Sequence, residues 1–137
     1  MKTINATKGE LVNIINGLFA VQELKGKTFS LTVSKNISIL RDTLKDVEEA
    51  GKPSPEFLEV AQKVNEIANE NKEDAKEQID KLEEENKELV EERRSQMDNV
   101  EKLMAEESTV DLHVISEEIL PENISASQIN KLIKIIE

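Results

Sequence analysis

No cysteine occurs in the chain, which excludes disulfides, thiolate zinc sites and a cysteine nucleophile, and suits a reducing cytoplasm. Tryptophan and tyrosine are also missing, and phenylalanine occurs three times. Without large aromatics there is nothing to stack on bases or to line a sugar cleft. Glycine is sparse, and Gly9, Gly17, Gly26 and Gly51 are too dispersed for a phosphate-cradling loop. The serines fall in caps and polar faces, with no nucleophile-elbow pattern. No stretch approaches the ~18 to 20 apolar residues of a membrane span. At the amino end Asn13 and Asn16 interrupt the apolar run that a signal peptide needs.

What is abundant is charge. Charged residues make up 34% of the 137, apolar residues 37%, and the formal charge is −11. The length is that of a single domain, and such a composition spreads its apolar side chains along helical stripes. Between Glu70 and Glu107, 15 acids stand against 7 bases, so this stretch holds −8 of the total. An acidic rod repels a phosphate backbone, which argues against direct nucleic-acid binding, and it attracts basic protein surfaces, including those that hold DNA.

The chain opens with a short β-tolerant segment up to Ala6, then "TKGE", a capping box in which Thr7 accepts from the Glu10 N–H and the Glu10 carboxylate reaches back. Leu11, Ile14, Ile15, Leu18 and Val21 then form one helical face, and the helix is expected to stop near "KGK" with Gly26 as a left-handed cap. "TFSLTV" alternates as a brief strand does. The stronger signal is Val33, Ile37, Leu40, Leu44, Val47, a heptad seam that predicts a helix from about Leu31 to Ala50, ended by Gly51 and Pro53.

Ser54 as N-cap and Pro55 at the first position restart a helix, with no further glycine or proline until Pro121. The spacing predicts a helix over 55–106 with a weak point at 69–74. Ile79, Leu82, Asn86, Leu89, Arg93, Gln96, Val100 and Leu103 keep the 3-4 spacing, and Glu77–Lys81, Glu83–Lys87 and Asp98–Lys102 are favourable pairs four apart. One helix this long cannot bury its own stripe, so either a second helix lies beside it or the segment is a solvated, partly ordered arm. Coiled-coil packing is the reading adopted, with Asn86, Arg93 and Gln96 as polar register-fixing residues. "STVDLHVI" alternates Val110, Leu112 and Val114 with Asp111 and His113, a strand to pair with the first. "SASQ" is a second capping box, from Ser125 to Gln128. The helix after it presents Ile129, Leu132, Ile133 and Ile136.

Candidate chemistry is thin. His113 is the sole histidine, and a site built from it with Asp111 and the acids of "SEE" is the weakest of the functional readings. The acids Glu83, Glu84, Glu85, Glu88, Glu91 and Glu92 lack the Glu-x-x-His partner of helical di-metal sites. We therefore expect no catalytic residue, no cofactor, no metal and no enzyme activity.

Three stretches, "KTINATKGELVNIINGL", "LTVSKNISILRDTLKDVEEA" and "VDLHVISEEILPENISASQINKLI", resemble a family of small proteins encoded by tailed bacteriophages of low-GC hosts. The likeness is better at the ends than in the middle, where the stretch from about 70 to 107 is longer here. The resemblance implies phage origin and a small α+β body with a helical arm. It implies no activity and carries over no functional residue.

The expected architecture is a mostly helical α+β fold in one domain, 1–137, with a body from 1–30 and 108–137 and a helical hairpin or coiled-coil arm from 31–107. Leu11, Ile15, Leu18, Ile129 and Ile133 are expected in the body's core, and Ile37, Leu40, Leu44, Leu82, Leu89 and Val100 in a coiled-coil seam. The expected function is protein–protein interaction in the host cytoplasm, most simply as a homo-oligomeric assembly protein. The alternative is an acidic inhibitor or adaptor of a host defence or nucleic-acid enzyme, as a DNA mimic would be. Glu83, Glu84, Glu88, Glu91 and Glu92 are the expected partner surface.

Overall fold

A computed structural model describes all 137 residues. In chain order it contains β1 (Lys2–Thr7), α1 (Lys8–Ala20), α2 (Lys27–Thr43), α3 (Lys45–Gly51), α4 (Pro55–Glu70), α5 (Ala75–Glu85), α6 (Lys87–Ala105), β2 (Glu107–Leu112) and α7 (Ala126–Lys131), with 3-10 turns at Glu117–Ile119 and Ile133–Ile135. The fold is thus α+β and mostly helical. No helix is long and apolar enough to cross a membrane. The chain divides into two compact units, Met1–Glu48 with Lys102–Glu137, and Glu49–Glu101.

The first unit is organised by an antiparallel pair. β1 and β2 run in register from Lys2↔Leu112 to Thr7↔Glu107. Alternation sends Ile4, Ala6, Val110 and Leu112 inward. The outer face is polar, with Thr3 Oγ donating to Asp111 and Thr109 Oγ donating to Asn5 at 2.7 Å. Chain direction turns into α1 at Thr7, whose hydroxyl accepts from the Glu10 N–H at 3.1 Å. The Glu10 carboxylate is held by the Lys134 ammonium at 3.0 Å. α1 buries Leu11, Ile14, Ile15 and Leu18 against the sheet and α2, and Gly17 admits α7, since a Cβ there would meet Lys131 Cβ at 3.0 Å.

Several expectations change in this unit. α1 ends at Ala20, and Gly26, with φ of +147°, serves the start of α2 rather than the end of α1. α2 begins at Lys27, so the strand-like "TFSLTV" is helical. Phe29 and Val33 lie four apart on the buried face while Leu31 is 54% exposed, which only the helical period allows. Ile37, Leu40 and Leu44, expected in a coiled-coil seam, belong instead to the core that α1, α2 and the strands share. Extending the stripe back to Phe29 gives α2 a face wide enough to cover the layer beneath it. Ile129 is only half-buried and Ile133 is 57% exposed, because α7 stops at Lys131 and the tighter turn that follows swings Leu132 and Ile135 inward. The chain ends beside Ile115, whose N–H donates to Ile135 O at 2.8 Å.

Candidate interaction surface

The second unit is a pair of antiparallel helices. Ser54 Oγ accepts from the Phe57 N–H at 3.2 Å, Pro55 occupies the first turn, and α4 runs to Glu70. Asn71 then takes the left-handed conformation, φ 51°, at the weak point of the expected long helix, and reverses the chain into α5. α5 and α6 continue through Asn86. Its N–H reaches Leu82 O at 3.1 Å, and its carbonyl accepts from Val90 at 3.1 Å. The buried and half-buried apolar residues include Phe57, Val60, Val64 and Ile67 on α4 and Ile79, Leu82, Leu89 and Val100 on α5 and α6, with Val100 beside Gly51. Only Val60 and Val100 are fully buried; Leu82 and Leu89 are half-buried.

The polar seam positions have an intramolecular task. Arg93 Nη1 donates to Gly51 O and to Gln96 Oε1, each at 2.8 Å, and the Gln96 amide donates to Ala50 O at 2.8 Å and to Lys52 O. Together they satisfy the carbonyls left open where α3 ends. The Arg93 guanidinium also lies 5.7 Å from the centre of the Phe57 ring. Asn86 donates to Leu82 O at 2.9 Å. Arg93 and Gln96 thus tie α6 to the segment ahead of α4, whereas the Asn86 bond stays within its own helix turn. Sequence spacing marked them as anomalies without revealing which carbonyls they reach.

The five acids singled out by sequence, Glu83, Glu84, Glu88, Glu91 and Glu92, are all exposed. None takes part in an ion pair, and the expected pairs Glu77–Lys81, Glu83–Lys87 and Asp98–Lys102 do not close. Long exposed side chains gain little from pairing in water, so they stay solvated. Glu88, Glu91 and Glu92 line an open depression with Ser95, Gln96 and Asn99.

The first unit holds the remaining titratable groups of interest. Lys8, whose side chain is mostly covered, bonds both Asp46 and Glu106 through its ammonium, and its backbone N–H donates to Glu106 O at 2.9 Å. The Asp46 hydrogen bond, then that of Glu106, raises the Lys8 pKa, and Lys8 lowers that of Asp46. Lys134 lowers that of Glu10. The backbone N–H of His113 donates to Asn36 Oδ1 at 2.8 Å and its backbone carbonyl accepts from Asn36 Nδ2 at 2.9 Å. Asn36, fully buried in α2, therefore extends the strand's hydrogen bonding with a side chain. Its position beside Val33 and Ile37 on the apolar stripe was the available signal, and sequence reading missed it. Asp111 is engaged by Thr3. No group of three or more His, Asp or Glu side chains is arranged to hold a metal ion. A groove of about 370 Å³ lies among Val12, Ile15, Phe19, Leu44 and Val47, its rim formed by Glu48 and by Arg41, which stacks 5.4 Å over Phe19.

No family model, curated protein or solved structure matches this chain.

Proposed function

We propose that the protein is a non-catalytic interaction protein that self-associates through its helical hairpin, in the manner of a coiled coil. One observation carries this reading. The hairpin's apolar stripe, interrupted by Asn86, Arg93 and Gln96, is incompletely covered: only Val60 and Val100 are fully buried, while Leu58 and Met97 stand 52% and 41% exposed. Two helices alone leave such stripes half-wet, and further helices beside them complete the burial. The resemblance of the chain's ends to small phage proteins adds a setting, the cytoplasm of an infected cell. Sedimentation equilibrium of the full chain tests the reading. A discrete oligomer that persists at high salt is expected, because apolar contacts are not screened. A monomer at all concentrations would remove it.

A second reading has its own observation. Five exposed carboxylates without ion pairs form an unneutralised field, suited to the basic groove of a host nucleic-acid or defence enzyme. Tight binding to one basic protein, lost when Glu84, Glu88 and Glu91 are changed to Lys with helicity intact, supports it. Binding that survives the reversal removes it.

A further inference from the structure

The two flanks of the hairpin differ in a way that selects one of them for the second copy. On a helix each step turns about 100°, so the residue after a seam position falls on one flank and the residue before it on the other. In an antiparallel pair, the "after" positions of both helices share one side. On α4 these are Leu58, Ala61, Asn65 and Ala68, following Phe57, Val60, Val64 and Ile67. On α6 they include Val90 and Met97, following Leu89 and Gln96. Leu58 and Met97 are the hairpin's two exposed large apolar side chains, and both lie on this flank. Its charges balance in sign, with Lys76, Lys87 and Arg94 against Asp80, Glu83 and Glu101.

The opposite flank contains no apolar residue among its "before" positions. Glu56, Glu59, Glu66, Glu85, Glu88 and Glu92 there outweigh Lys63 and Lys81. Joining two copies through that flank sets acid against acid and desolvates carboxylates with no partner. Joining them through the Leu58–Met97 flank buries apolar surface and sets both signs against both signs, the arrangement a self-complementary two-fold interface needs.

We infer that the Leu58–Ala61–Val90–Met97 flank docks a second copy of this chain, giving a symmetric four-helix assembly with the acidic flanks outward. The inference rests on the self-association proposed above and names the face that performs it. It also leaves Glu88 and Glu92 free to meet a basic partner.

The test uses the full chain in sedimentation equilibrium. Leu58→Glu with Met97→Glu is expected to raise the dimer dissociation constant about tenfold or more, with helicity retained; tenfold corresponds to ~1.4 kcal/mol. Glu88→Lys with Glu92→Lys is expected to leave the dimer intact or tighten it. Because the chain lacks cysteine, Met97→Cys and Ser95→Cys give a second, gentler readout with a short bis-maleimide. Covalent dimer from the Met97 variant and not from the Ser95 variant supports the assignment; the reverse overturns it. A wild-type dimer indifferent to the Leu58 and Met97 changes overturns the face but not self-association. A wild-type monomer at every concentration overturns both.

Discussion

The two units of this chain draw on the same residue types and reach different ends. In the first, α1, α2, two strands and the carboxyl-terminal turns enclose a continuous core from Ile4 to Ile135. In the second, two helices meet along one stripe and fully bury two valines. A layered arrangement can cover an apolar side chain from all sides, whereas a lone helix pair covers each seam residue from one side only. Each fully buried Leu, Ile, Val or Phe contributes roughly 1.5–3 kcal/mol, so cohesion is concentrated in the first unit. The hairpin leans instead on polar closure by Arg93 and Gln96 and, in our proposal, on another copy of itself.

Substitutions should expose that asymmetry. The largest effect is expected from Phe29→Ala, which removes the largest fully buried side chain of the first unit. A loss of about 3–5 kcal/mol in urea unfolding is expected from the transfer and cavity costs together. Asn36→Ala comes next. It strips both backbone groups of His113 of their partner inside the protein, and a loss on the order of 2–3 kcal/mol is expected. If stability is unchanged, Asn36 does not hold that segment. In the hairpin, Arg93→Ala should cost only about 1 kcal/mol. It should appear as faster amide exchange at the ends of α3 and α4 rather than as a shift of the main unfolding transition.

The smallest effect concerns pH. Lys8 has its pKa raised above the ordinary 10.5, so its contribution is complete below that value and fades as pH rises through the folded-state pKa. Asp46 has its pKa lowered below 3.8, so its contribution is complete above that value and fades as pH falls through the folded-state pKa. Lys8→Met should flatten both limbs of a plot of thermal midpoint against pH. A variant that keeps the wild-type limbs would show that other groups set them.

Local capping chemistry and apolar period were the parts of this fold most legible in the sequence. Thr7, Ser54 and Ser125 all cap the helices that their spacing predicted, Gln128 closing the last box back onto the Ser125 N–H at 2.9 Å. The strand character of β2 was legible from the alternation of Val110 and Leu112, and its pairing with the β-tolerant amino-terminal segment is as expected. What failed had a physical reason each time. Phe29, Leu31 and Val33 satisfy a period of two, and only the later residues Asn36, Ile37 and Leu40 show that the helical period wins. The heptad of α2 is real, but a heptad does not say what lies opposite, and here it is the first unit's core. Ile133 fits the stripe of α7 on paper, yet that helix ends two residues earlier. For the candidate surface, exposure of the acids was legible, whereas the difference between the hairpin's flanks needed the antiparallel pairing to be seen.

Hydrogen exchange with mass spectrometry across protein concentration distinguishes a first unit that stands by itself from a hairpin that is completed, as proposed, by a second copy. Amides of α1, α2 and the strands should be protected equally at all concentrations, and those over 55–101 should gain protection as concentration rises. A hairpin as protected as the first unit at the highest dilution, and indifferent to concentration, would contradict completion by a second copy.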